Sequence, residues 1–359
     1  MPRPRQHLLE FAPYVLPDTS MPEGKRQLHL AQNESAFGAS PNALNAAKKA
    51  LSTARLYPDP NFTALRTAIA AQHKLSVDQI WCGCGSLELI SLLTTAYLQA
   101  GDSVVTSQYS YAYFHAAAKA AEAEVIAVPE PRLIMEVDAV LAGVRADTRI
   151  VFVANPGNPT GSFIPRADIV KLRQHLRDDI MLIIDEAYAE YVAEEVYEAH
   201  FDLVALGNTV VLRTFSKVYG LAGFRVGWGY FPPEVLAILR HIQIPNSVSV
   251  VGQAAATAAI ADQQFITYVR QETAIVRDWF TQALKELGLN PQPSVCNFVL
   301  CRLPSAKAAQ ALSDTLRSEG IVVRIMRGYG LSDCIRITLG KMAQMKEVVE
   351  VLQRYGTIN

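Results

Sequence analysis

No stretch of the 359-residue chain stays apolar long enough to cross a membrane: runs such as Ile180 to Ile184 and Val235 to Leu239 are five residues long, far short of the ~18 a spanning helix needs. An excess of one charge is missing too. The 33 Lys and Arg face 34 Asp and Glu, which leaves no field to attract a nucleic acid or an anionic membrane surface. Cysteine is scarce, and its five copies are an odd number, which fits buried free thiols better than a disulfide framework. Cys82 and Cys84 are spaced C-x-C with no second pair to complete a zinc site. The seven histidines show no metal-binding or catalytic spacing, so no metal is expected. Arg3, Arg5 and His7 open the chain without a following apolar segment and small-residue cleavage site, so a cytoplasmic location is expected. What remains is half apolar and 19% charged, the composition of a folded, enzyme-sized chain with roughly two domains at about 150 residues each.

The first thirty residues are proline-rich and lack periodicity, and read as an extended arm that packs on something else. From Ile80 strand and helix alternate. Strands are expected at Ile80 to Cys82, Ser103 to Thr106, Glu124 to Val128, Ile150 to Ala154, Ile180 to Asp185, Val210 to Phe215 and Arg225 to Gly229. Several are apolar on both faces, as buried parallel strands are. Such alternation specifies an α/β fold, a mostly parallel sheet with helices on both faces and ligands at the strand ends. After Pro245 long helices lead into a smaller α+β unit. The expected division is 1–32 arm, 33–245 large domain and 246–359 small domain.

Short motifs sit where the expected strands end. The strand at Ile150 runs out in Asn155-Pro156-Gly157-Asn158-Pro159-Thr160-Gly161, the one at Ile180 in Asp185-Glu186-Ala187-Tyr188, and the one at Val210 in Ser216-Lys217, with Arg225 eight residues on. With Gly83-Cys84-Gly85-Ser86 these read as one site assembled from four strand ends. A lysine amine, a carboxylate, a tyrosine, an asparagine and an anion cup together suit pyridoxal 5'-phosphate. Its aldehyde takes a lysine amine, its pyridine nitrogen needs an acid to stay protonated, and its phosphate needs helix-N-terminal amides with Ser and Arg.

The run Thr214-Phe215-Ser216-Lys217-Val218-Tyr219-Gly220-Leu221-Ala222-Gly223-Phe224-Arg225 resembles the lysine signature of the fold type I, class I/II aminotransferases. The Asn-Pro-x-Asn-Pro-Thr-Gly and Asp-Glu-Ala-Tyr motifs occur in that family in the same order. Gln32-Asn33-Glu34, Tyr57-Pro58-Asp59, and the segment from Gly320 through Arg324 to Arg336 extend the resemblance over nearly the whole chain, toward the histidinol-phosphate aminotransferases and their aromatic-aminotransferase relatives.

The resemblance implies a seven-stranded large domain with a smaller one, pyridoxal phosphate on Lys217, Asp185 on the pyridinium nitrogen, and Asn158 and Tyr188 on the phenolate oxygen. Lys217 would also shuttle the proton. Gly85, Ser86, Ser216 and Arg225 would hold the phosphate. Tyr109 would stack on the ring, preferred over Tyr111 and Tyr113 by its register after the strand at Ser103. Tyr57 would reach the phosphate of a neighbouring subunit, which implies a homodimer. Arg336 would fork onto the substrate carboxylate, with Arg324, Tyr14 and Asn33 as further substrate contacts. Leu87 departs from the family, which has a polar residue there. The resemblance implies an amino donor and a 2-oxo acid as substrates, with histidinol phosphate and 2-oxoglutarate as the leading pair and glutamate as the amino partner. Aromatic transamination and threonine-phosphate decarboxylation remain open alternatives.

Overall fold

The structure is a computed structural model describing residues 2–9 and 27–354. Tyr14 lies outside the described residues. A short strand, β1 (Leu28–His29), is followed by α1 (Pro41–Ala50) and α2 (Thr63–His73). Next come β2 (Ile80–Gly83), α3 (Ser86–Tyr97), β3 (Ser103–Ser107), α4 (Ala112–Ala120), β4 (Glu124–Val128), α5 (Val137–Ala142), β5 (Thr148–Ala154), α6 (Arg166–His175), β6 (Met181–Asp185), β7 (Thr209–Thr214) and β8 (Gly227–Tyr230). Helices α7 (Pro233–Ile242), α8 (Val250–Ala261) and α9 (Gln263–Glu286) lead to β9 (Asn290–Pro291), β10 (Phe298–Arg302), α10 (Ala306–Ser318), β11 (Ile321–Val322), β12 (Arg324–Met326), β13 (Leu331–Thr338) and α11 (Met342–Arg354). No helix among the described residues is long and apolar enough to cross a membrane.

Seven strands form the central sheet in the order β2-β8-β7-β6-β5-β3-β4. The pairs β3–β4, β3–β5, β5–β6 and β6–β7 are parallel, while β8 is antiparallel to both its neighbours. Only β8 therefore runs against the rest. It follows β7 through a loop with no crossover helix, and without a crossover a chain can return only antiparallel. The expected strand at Arg225 begins two residues late, because Arg225 itself takes a left-handed conformation with φ of 55°. The consequence for function is that β2, β3, β5, β6 and β7 all present their C-terminal ends at one edge of the sheet.

Strands β5 to β7 are buried along nearly their whole length, with Ile150, Val151, Ile183, Ile184, Val210 and Val211 fully enclosed. They form the middle of the larger core. A second core lies around the antiparallel sheet β12-β13-β10-β9, and β1 joins that unit by pairing in parallel with β11. Helix α8, which the sequence assigns to the small domain, packs on α1 and α2, and its Ala255, Ala256, Ala259 and Ile260 enter the larger core. The two cores meet along α9, whose Ile266 and Val269 belong to the first and Val276, Phe280 and Leu284 to the second. On this packing we place the division within α9.

The loop after β5 is fixed by one side chain. Asn155 is fully buried, and its amide donates to the Ile164 carbonyl and accepts from the Ile164 N–H, both at 2.9 Å. This rung sets the position of Asn158 between its two ends. Asn155→Ala strands two buried backbone groups, each costing about 1–3 kcal/mol. Urea unfolding of the variant is expected to show that loss, with faster amide exchange across residues 156–164; wild-type stability would contradict the role given to Asn155.

Candidate active site

A cavity of about 430 Å³ opens at the edge where the parallel strands end. Its walls gather Asn33, Ser86, Asn158, Asp185, Tyr188, Ser216, Lys217, Arg225, Arg324 and Arg336. The strand-end motifs, distant in sequence, thus converge as expected from the parallel topology.

Asp185 closes β6 and is buried, its Oδ1 accepting the Ala187 N–H at 3.0 Å. Burial pushes its carboxyl up to about 7, further than that hydrogen bond and Lys217 can pull it down. Lys217 stands just beyond β7, its Nζ donating to the Gln32 carbonyl at 3.2 Å and lying 5.6 Å from the centre of the Tyr188 ring. The surrounding protein lowers its amine to about 8, chiefly by excluding water and then through Arg336 and Arg225, against Glu34 and Asp185. A depressed lysine pKa leaves an appreciable fraction of free amine near neutrality, which is what attack on a carbonyl requires.

The anion cup lies at the start of α3. Gly85 precedes the helix with φ of 76°, and a side chain there would run into the Arg225 guanidinium. β8 passes so close beneath the cup that a Cβ on Gly227 would meet the Gly85 and Ser86 backbone. The start of α3, at Ser86 and Leu87, borders the cavity with Ser216 and Arg225, and Gly85 lies just outside the lining; Arg225 NH1 donates to Ser216 Oγ at 3.4 Å and to the Ala222 carbonyl at 3.1 Å. Amides, a hydroxyl and a guanidinium at a helix N-terminus suit a phosphate. Leu87 also lines the cavity, and the helix N-terminus, Ser216 and Arg225 remain there without a polar side chain at that position.

Tyr188 accepts at its hydroxyl from Asn33 Nδ2 at 2.8 Å, and burial pushes its phenol well above the usual value. It is a neutral donor. Asn158 accepts from Arg336 NH1 through Oδ1, which leaves its Nδ2 for a ligand oxygen. Arg336, fully buried on β13, also donates from NH2 to the Ala31 carbonyl at 2.8 Å and lies 5.3 Å from the centre of the Phe298 ring. Arg324 faces it directly across the β12–β13 pair.

The structure does not bring Tyr109 into the cavity lining, where the sequence places it. Strand β3 runs to Ser107, and in the turn that follows Tyr109 packs with the cluster of Leu300, Met326, Tyr329 and Leu331. Tyr111, just before α4, lines the cavity instead. Asn33 is on the wall, yet its side chain is spent within the protein, on Tyr188 and on Thr338 Oγ1, which donates to its Oδ1 at 3.1 Å. Tyr57 is outside the cavity and 89% exposed. Gln32, Glu34 and Thr214 join the lining without having been anticipated as site residues.

The groups present fit pyridoxal phosphate: a free amine, a buried acid that needs a cationic partner to ionise, two phenolate donors and a phosphate cup. Among the described residues no group of three His, Cys, Asp or Glu could hold a metal ion.

Comparison with known proteins agrees. The family model for aminotransferase class I and II matches residues 25–352. The chain is 41% identical to the histidinol-phosphate aminotransferase of Rhodospirillum rubrum, over 98% of this chain and 96% of that one. It is likewise 41% identical to the protein of that name from Paramagnetospirillum magneticum, over 99% and 98%. Among solved structures, histidinol-phosphate aminotransferase from Sinorhizobium meliloti in complex with pyridoxal-5'-phosphate superposes with a TM-score of 0.87 at 32% identity, covering 92% of each chain. An aspartate aminotransferase of Thermus thermophilus, 20% identical, shares the fold with a TM-score of 0.85 over 99% of this chain and all of that one.

The charges of the cavity make stability depend on pH when the cofactor is absent. Asp185 holds a proton to about 7 in the folded protein and to 3.8 when unfolded, so its burial costs stability as pH rises through that window. Lys217, lowered to about 8 from 10.5, acts oppositely, and stability returns as pH rises from about 8 to 10.5. Cofactor-free Asp185→Asn is therefore expected to melt a few degrees above the wild type near pH ~8 and level with it near pH ~4. Equal melting temperatures at both values would refute the burial argument.

Proposed function

The chain belongs to the aminotransferase class I and II family, and from that premise we propose that it transfers an amino group between histidinol phosphate and 2-oxoglutarate, with glutamate as the amino partner. It is a pyridoxal-phosphate-dependent aminotransferase. When bound, the cofactor accepts the amino group and delocalises the electron pair left at the substrate carbon.

The residues divide that work. The α3 amides of Gly85 and Ser86, with Ser216 and Arg225, bind the phosphate. Asp185 keeps the ring nitrogen protonated, and the positive charge there gives its carboxylate the partner that burial denies it. Asn158 and Tyr188 donate to the phenolic oxygen, and Tyr111 covers the ring. Lys217 Nζ would hold the cofactor carbon, and its amine would move a proton to and from the substrate α-carbon, a role its lowered basicity suits.

One observation carries the choice of substrate. Arg324 and Arg336 are directly opposed across two antiparallel strands and both reach the cavity. Two guanidinium groups in that relation attract an anion that can reach both. A phosphate monoester does so with its two charges, and glutamate does so with a carboxylate for each arginine. Phenylalanine and tyrosine carry one carboxylate only. The relatives' shared name supports the same substrate.

A homodimer and a cytoplasmic location belong to this proposal. Leu51, Leu56, Tyr57 and Ile244 expose 53–89% of their surface, a set of apolar side chains suited to a second copy, in which Tyr57 would reach the neighbouring phosphate cup.

Single-turnover reactions test the reading. With the cofactor loaded, histidinol phosphate and glutamate are each expected to bleach its absorbance quickly, and phenylalanine and tyrosine slowly. Arg324→Gln should cut the rate constant per molar histidinol phosphate by about ten- to a hundredfold. Fast conversion of the aromatic amino acids with none of histidinol phosphate would move the function to aromatic transamination, and release of carbon dioxide would identify a decarboxylase.

A further inference from the structure

Behind the residues that line the cavity lies a second set of ionised side chains. Arg213, the penultimate residue of β7, is 3% exposed. Its Nε and NH2 donate to Glu186 Oε2 at 3.0 and 2.8 Å, and its NH1 donates to Glu190 Oε1 at 3.2 Å. Tyr197 donates to the same Glu186 oxygen at 2.7 Å, and His200 Nδ1 lies 2.6 Å from the other. These donors hold the Glu186 carboxyl down at about 2 although burial pushes it up. The guanidinium is enclosed between the rings of Tyr197 and Phe201, 5.4 and 5.0 Å from their centres.

The chain positions of these groups give the cluster its meaning. Glu186 adjoins Asp185, and Glu186 and Glu190 flank Tyr188. On the other strand, Ser216 and Lys217 follow Arg213 by three and four residues. A single guanidinium thus clamps both ends of the segment that carries Tyr188 and directly follows Asp185 onto the strand that leads to Ser216 and Lys217. Net stability does not account for such a cluster, since a buried ion pair contributes little over well-packed apolar residues. Geometry does, because the planar fork of arginine fixes direction as well as distance.

We propose that Arg213 is a positioning residue: by holding Glu186 and Glu190 together it fixes Asp185 and Tyr188 relative to Lys217, and so aligns the cofactor ring between its acid and the amine. The proposal needs the pyridoxal phosphate cofactor and is independent of which amine is transferred. Displacements of about 1 Å in such an arrangement cost up to a hundredfold in rate.

The test compares Arg213→Lys, which keeps the charge and loses the fork, with Glu190→Gln, which keeps the shape and loses one of the two clamped charges. Four quantities are read on each: affinity of the cofactor-free protein for pyridoxal phosphate, the pH midpoint of the bound cofactor's absorbance, kcat and KM with glutamate, and melting temperature. Arg213→Lys is expected to weaken cofactor binding about tenfold, to move the pH midpoint, and to lower kcat about ten- to a hundredfold with KM nearly unchanged. Glu190→Gln should change the same quantities in the same direction by less. A folded Arg213→Lys protein with wild-type cofactor affinity and pH midpoint would overturn the proposal, as would one in which only the melting temperature falls. If Arg213→Lys does not fold, an unmoved midpoint and affinity in Glu190→Gln overturn it.

Discussion

Two opposite charges are taken out of water at the ends of neighbouring strands, and the rest of the site is arranged around that fact. Asp185 closes β6 and Lys217 follows β7, which pairs with β6 in parallel so that Asp185 stands opposite Leu212. Burial moves both toward neutrality, the carboxyl up to about 7 and the amine down to about 8. Among the described residues, the attraction of each for the other is too weak to offset that burial. A ligand that brings a protonated ring nitrogen to one and a carbonyl carbon to the other relieves both costs at once, so part of the price of folding this cavity is returned on binding.

The second constraint is that the substrate end of the cavity is built by the other unit. Arg324 and Arg336 come from the antiparallel sheet, while Lys217 and Asp185 come from the parallel one. Asn33 joins the two. Its side chain donates to Tyr188, its backbone N–H donates to Thr338 on β13 at 3.0 Å, and its carbonyl accepts from Asn297 at 3.1 Å. Strand β1, just before it, is held to β11. The segment from Leu28 to Asn33 thus couples the antiparallel unit that carries Arg324 and Arg336 to Tyr188, and Arg336 repeats the link through Asn158.

Most of the candidate site was legible in the sequence because its residues sit in contiguous motifs at strand ends, where topology alone brings them together in one cavity. Lys217, Asp185, Ser86, Asn158 and Arg225 needed no knowledge of packing. Tyr109 and Tyr111 differ by two residues in a turn, and which of them faces the cavity depends on where β3 stops and on the apolar cluster that takes Tyr109; neither can be read from spacing. The early helices α1 and α2 have weaker signals, although Ser40 followed by Pro41 is a helix start, with Ser40 Oγ accepting the Ala43 N–H at 3.1 Å. Helix α8 has alanine on much of its surface, so its pattern could not tell which core it joins. The Glu186–Arg213 cluster was invisible for another reason: its members lie beside known motif residues and point away from them, and direction is a property of the fold.

We propose that the amine of Lys217 is the group that binds the cofactor carbon. Incubation with pyridoxal phosphate, reduction with borohydride and peptide mapping would locate the trapped carbon–nitrogen bond directly. Label on Lys217, in stoichiometric amount, is the predicted result. Label spread over other lysines, or stoichiometric label that survives Lys217→Ala, would contradict it.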